Sequence, residues 1–110
     1  MMAIVEVRIP DAARTVGSVT FKATLDGVTF VLRMQWNARA GTWTLSIADA
    51  DDVAIVSGLT LVPAWDLLGL VTDYRRPLGQ LMLWRSDGSF AHPGLTDVGT
   101  TCKLFYYEAE

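Results

Sequence analysis

Along the first half of the chain, apolar and polar residues alternate one by one. Val19, Phe21, Ala23 and Leu25 alternate with Thr20, Lys22 and Thr24. Farther on, Val28, Phe30, Leu32, Met34 and Trp36 alternate with Thr29, Arg33 and Gln35, and only Val31 breaks the rule. A period of two describes a half-buried strand, whereas a helix would scatter the same residues around its circumference. Between the two runs lies Asp26-Gly27, a dipeptide that supplies the positive φ angles of a tight hairpin. After a short turn at 37–41, Trp43, Leu45 and Ile47 alternate with Thr42, Thr44 and Ser46, which completes a three-stranded meander with one apolar face. Residues 48–52 read as a polar turn and 53–56 as a fourth strand ending at Gly58. Residues 59–62 fit either a fifth short strand or a continuation past a bulge at Gly58.

The second half is less regular. Pro63 followed by helix-compatible residues and Gly69 predicts one helical turn near residues 64–69, and 70–77 reads as an ordered loop ending at a proline. Residues 80–85 form a short strand closed by the turn sequence Ser86-Asp87-Gly88-Ser89, and 91–100 reads as irregular. The last strand, 102–107, places Leu104 and Tyr106 on one side and Lys103, Phe105 and Tyr107 on the other. The opening segment with Ile4, Val7 and Ile9 is expected to pair with another strand. Six to eight short strands separated by turn signals predict an all-β fold, a small antiparallel β-sandwich or barrel.

Composition narrows the function. At 110 residues the chain has the size of one domain, read as an N-terminal segment 1–17 that can serve as an arm and a single β domain 18–110. A hydrophobic fraction of 51% is high for a small domain, whose large surface has to be covered with polar groups, so part of that surface is expected to be buried in a partner. The apolar runs at 28–32 and 64–71 fall well short of the ~20 residues that span a membrane, and Glu6, Arg8 and Asp11 stand where a signal peptide would be apolar. The chain is therefore expected to be made and kept in the cytoplasm, or carried in a particle assembled there. With 9 basic residues scattered among 12 acidic ones, it offers no dense positive face for nucleic acid.

Candidate chemistry is sparse. Cys102, His92 and either Asp87 or Asp97 are the residue types of a nucleophilic triad, and hence of a small hydrolase, but a half-buried thiol in a strand is more often packing. One Cys and one His are too few for a structural zinc site. Asp49, Asp51 and Asp52 lack the glycine and distal glutamate of a calcium loop and read as a solvated turn. No catalytic, cofactor-binding or metal-binding residues are assigned. Trp36 and Trp43 flank one turn and are expected to form a buried cross-strand pair rather than an exposed carbohydrate platform. Trp65 sits in the helical-turn segment, either as a plug over the core or as an interface anchor. With Tyr74, Arg75 and Arg76 it makes up the candidate interface, since these residue types are enriched in protein contacts.

The ordered combination of residues resembles the phage baseplate plug family, typified by a cyanophage protein. The resemblance rests on Thr24-Leu25-Asp26-Gly27-Val28-Thr29-Phe30, then Leu32-Arg33, Trp36-Asn37, Gly41 and Trp43. It continues through Asp49-Ala50-Asp51, Gly58, Leu61-Val62-Pro63, Asp66-Leu67-Leu68, Tyr74 and Pro77-Leu78-Gly79-Gln80-Leu81. It ends with Asp87-Gly88, Pro93, Asp97-Val98-Gly99 and Leu104-Phe105-Tyr106, so it covers roughly residues 18–107. The resemblance implies a structural component of a contractile phage tail, plugging or lining the tube end, with no catalytic residues. Its implied partners are other baseplate, hub or tail-tube proteins, with self-association open, while charge and hydropathy already speak against nucleic acid and membrane. The implied location is the virion tail, assembled in the host cytoplasm. The competing reading from the residues alone is a carbohydrate- or peptide-binding module that uses Trp65 and the 64–78 loop.

Overall fold

Where the alternation is cleanest, the strands follow it. A computed structural model describes residues 4–63, 66–69, 71, 77, 79–89 and 91–108. Among them run the strands β1 (Ile4–Val7), β2 (Ser18–Leu25), β3 (Val28–Asn37), β4 (Thr42–Asp49), β5 (Ala54–Thr60), β6 (Gln80–Arg85) and β7 (Cys102–Tyr107), with one short helix, α1 (Ala12–Val16). They form two antiparallel sheets, a four-stranded one in the order β2-β3-β4-β5 and a three-stranded one in the order β1-β7-β6. The result is a sandwich and not a closed barrel.

The hairpin between β2 and β3 pairs Leu25 with Val28, and Asp26 (φ 54°) and Gly27 (φ 77°) fill its two-residue loop. Two successive positive φ values are the signature of a type I′ turn, whose twist matches that of the strands it joins. The alternative left open at 59–62 resolves as a continuation. β5 runs past Gly58, which adopts a φ of 73°, and the register with β4 shifts there and again between Ile47 and Ala48. Each shift adds a residue to β5 and bends it around the end of the core.

The facing residues of the two sheets make one core. The four-stranded sheet contributes Leu25, Phe30, Leu32, Met34, Trp43, Leu45 and Ile47, and the three-stranded sheet contributes Val7, Leu81, Leu83, Cys102, Leu104 and Tyr106. The opening segment adds Ile9 and Ala13, so β1, which pairs with β7 as expected, and α1 are both packed into the domain. Sequence reading did not anticipate α1. Its left-handed Gly17 ends it by donating to the Ala13 carbonyl, which sends the chain directly into β2. The helical turn expected near 64–69 lies partly outside the described residues. Its described end is a hydrogen-bonded turn, with the Gly69 N–H donating to the Asp66 carbonyl at 3.1 Å.

The tryptophan pair needs one correction. Trp36 and Trp43 face each other directly across β3 and β4, with ring centroids 5.7 Å apart. Trp43 is fully buried, but Trp36 is only half-buried. β2 begins at Ser18, opposite Gln35, so the residue beside Trp36 is Gly17, which has no side chain to cover the indole.

Candidate interaction surfaces

The core is closed at its two ends by polar side chains that fix loops. At one end, the buried Tyr106 hydroxyl donates to a carboxylate oxygen of Asp26 in the hairpin turn and accepts the Gly79 N–H at 2.6 Å. One side chain thus ties the three-stranded sheet to the hairpin of the other sheet. A Cβ on Gly79 would lie 2.0 Å from the Tyr107 carbonyl oxygen, so only glycine fits that approach. At the other end, the Trp43 Nε1 donates to the Gly94 carbonyl at 3.0 Å, and the Arg14 Nη1 donates to the Val98 carbonyl at 2.8 Å. The irregular segment 91–101 is thereby fastened over the core.

Arg85 organises the same end. Its side chain, 11% exposed, pairs with both carboxylate oxygens of Asp87 at 3.2 and 3.0 Å and with Asp97 at 3.3 Å. The hydrogen bond from Arg85 holds the Asp87 carboxyl well below the usual carboxylate range, with help from the Ser89 N–H. Arg85 Nη1 also reaches the Cys102 Sγ at 3.3 Å. Burial pushes the Cys102 thiol up, against the opposing pull of the Arg85 charge. The polar group at the thiol is therefore a guanidinium, which cannot act as a general base, and it is not His92, which is exposed. Of the residues considered for a triad, Cys102, Asp87 and Asp97 are gathered on Arg85 in a partly buried clasp, and His92 stands apart. The aspartates at 49–52 likewise build a turn: Asp49 Oδ1 accepts the N–H groups of Asp51 and Val53, and Asp52 pairs with Arg33 at 2.6 Å.

The candidate interface residues Trp65, Tyr74, Arg75 and Arg76 lie outside the described residues. The roots of their loop are within them, and they are firmly held. Pro63 bridges to Leu83, the Leu67 N–H donates to the Leu81 carbonyl at 2.9 Å, and Asp66 Oδ1 accepts from Leu68 and Leu81 at 3.1 and 3.3 Å. This segment therefore occupies the outer edge of β6 and blunts it. On the opposite side of the molecule the first strands of the two sheets, β1 and β2, flank a cleft of about 270 Å³ lined by residues 5–8 and 21–25.

Sequence reasoning missed one surface. Cross-strand partners share a face, so the register places Ile4, Tyr107, Phe105, Met82 and Trp84 together on the outer side of the three-stranded sheet. The separation of Phe105 and Tyr107 from Leu104 and Tyr106 was legible in β7, but their company on β1 and β6 depends on long-range pairing.

The chain matches the family model described as "Cyanophage baseplate Pam3 plug gp18" over residues 7–109. No curated protein matches it.

Proposed function

The chain belongs to the cyanophage baseplate plug family, and from that premise we propose that it closes the end of a contractile tail tube through contacts made by the 64–78 loop. Membership makes it a structural component of the baseplate, located in the virion tail, where it meets other baseplate proteins. The observation that carries the reading is the family match, which spans nearly the whole chain from Val7 onward. The fold supports it physically. A plug has to resist deformation, and this sandwich is tied across its sheets at one end by Tyr106 and over its core at the other by Trp43 and Arg85.

The specific neighbours in this reading are hub or tube subunits, and assembly takes place in the host cytoplasm. Trp65 serves as an anchor, and Tyr74, Arg75 and Arg76 provide the surrounding polar contacts. Catalysis has no place in the reading, since the thiol is held by a guanidinium and the family is structural. The test is complementation of a plug-deficient phage with Trp65→Ala and Arg75→Glu. Each variant is expected to fold and to leave tails unfinished or unable to hold their contents. Normal tails from both stably folded variants would place the contact elsewhere.

A further inference from the structure

The outer side of the three-stranded sheet is apolar at positions where a solvated sheet is polar. Ile4, Tyr107 and Gln80 form one row across β1, β7 and β6, Glu6, Phe105 and Met82 the next, and Lys103 and Trp84 a third. Ile4 is 60% and Trp84 40% exposed, while Met82, Phe105 and Tyr107 are half-buried. The Trp84 Nε1 donates to the Tyr107 hydroxyl at 3.1 Å, so the polar edge of the indole is already satisfied within the face. Beside it, Trp84, Phe105, Lys103, Thr100 and Thr101 border a recess of about 210 Å³. These side chains are contiguous across the three strands and offer apolar area that a contact would remove from water.

We propose that this face pairs with the same face of a second copy of the chain. Charge complementarity selects that occupant. The face carries Glu6 and Lys103, one strand and one row apart, with Arg8 next to them just past β1, and the side chains of Glu6 and Lys103 have no hydrogen bond or ion pair within the chain among the described residues. A two-fold axis lying in the contact plane and bisecting that diagonal brings Glu6 of each copy onto Lys103 of the other. The same axis passes close to Phe105 and Met82, which then meet their own counterparts, and lays Trp84 over Ile4 and Tyr107 of the other copy. The strands of the two sheets cross steeply, as in orthogonal sheet packing. Arg8, exposed just beyond the end of β1, adds positive charge at the rim next to Glu6. A different protein would need its own matching diagonal, whereas a second copy has it by symmetry.

The size of the face sets the strength. Three strands about 4.8 Å apart, each contributing a few residues at about 3.4 Å, present only about 250 Å². That is well below the roughly 800 Å² per partner of a stable interface, so pairing is weak in dilute solution and is promoted by the crowding of an assembly. The pairing is measured on the isolated chain, so its failure leaves the baseplate reading untouched.

The experiment is sedimentation equilibrium of the purified full chain from about 10 µM to about 1 mM. The expected result is a reversible monomer–dimer equilibrium. Lys103→Glu alone should weaken it about tenfold or more, and the double exchange Glu6→Lys with Lys103→Glu should restore it. Phe105→Asp should abolish it, with circular dichroism confirming that each variant is folded. A wild-type chain that stays monomeric throughout, or a dimer indifferent to these changes, overturns the proposal. A monomeric wild type whose tails fail to assemble on Phe105→Asp also overturns it and assigns the face to a different protein.

Discussion

Tyr106 occupies a position where one atom serves two loops. Its ring fills the core, while its hydroxyl donates to Asp26 and satisfies the Gly79 N–H. Tyr106→Phe keeps the ring and orphans that N–H, so urea unfolding should show a loss of about 1–3 kcal/mol, the cost of an unsatisfied buried donor. A midpoint unchanged within error would mean that water replaces the hydroxyl. The two tryptophans differ for a similar reason of position. Trp43 is enclosed and its N–H is held by the Gly94 carbonyl, whereas Trp36 stands beside Gly17 at the end of the sheet. Trp43→Ala should therefore cost on the order of 3–5 kcal/mol and Trp36→Ala clearly less. In the native protein a fluorescence quencher should reach Trp36 and not Trp43, and equal protection of the two would contradict the exposed edge.

At the scale of elements, the hairpin and the bulged strand show backbone conformation overriding side-chain preference. Nothing lies within 4 Å of a Cβ placed on Gly27, so substitution there meets no steric clash beyond its own backbone. With φ at 77°, Gly27→Val should still destabilise by about 1–2 kcal/mol or somewhat more, since a branched side chain resists the left-handed region. Gly27→Asn, which tolerates that region, should retain most of the stability. Thermal denaturation of the pair separates the causes, because equal melting temperatures would rule out a conformational origin. In the sequence β5 fits either two short strands or one strand carried past a bulge, because the bulges break the alternation, and pairing with β4 carries it through to Thr60.

The whole molecule depends on its first residues. Val7, Ile9 and Ala13 belong to the core, and β1 forms one edge of the three-stranded sheet. A chain beginning at Ser18 should therefore lose several kcal/mol, about 1.5–3 for each large apolar side chain removed from the core, and expose the edge of β7. Size-exclusion chromatography and circular dichroism should show it aggregated or partly unfolded. A monomeric, cooperatively unfolding 18–110 fragment would instead make the opening segment a dispensable arm.

Residue order by itself determined the local features: the I′ turn at Asp26-Gly27, the meander that follows it, the two faces of β7, and the resemblance to the plug family that the family match bears out. These are legible because a strand's period and a turn's φ angles are set by neighbours in the chain. Other features were settled only by tertiary structure. These include the choice of a sandwich over a barrel, the continuation of β5 past Gly58, and the half-exposure of Trp36. The clasp of Arg85 on Cys102 and Asp97, and the apolar outer face shared by Ile4, Met82, Trp84, Phe105 and Tyr107, belong to the same group. Each depends on residues tens of positions apart being brought together, and the alternation within one strand does not reveal which other strand will lie beside it.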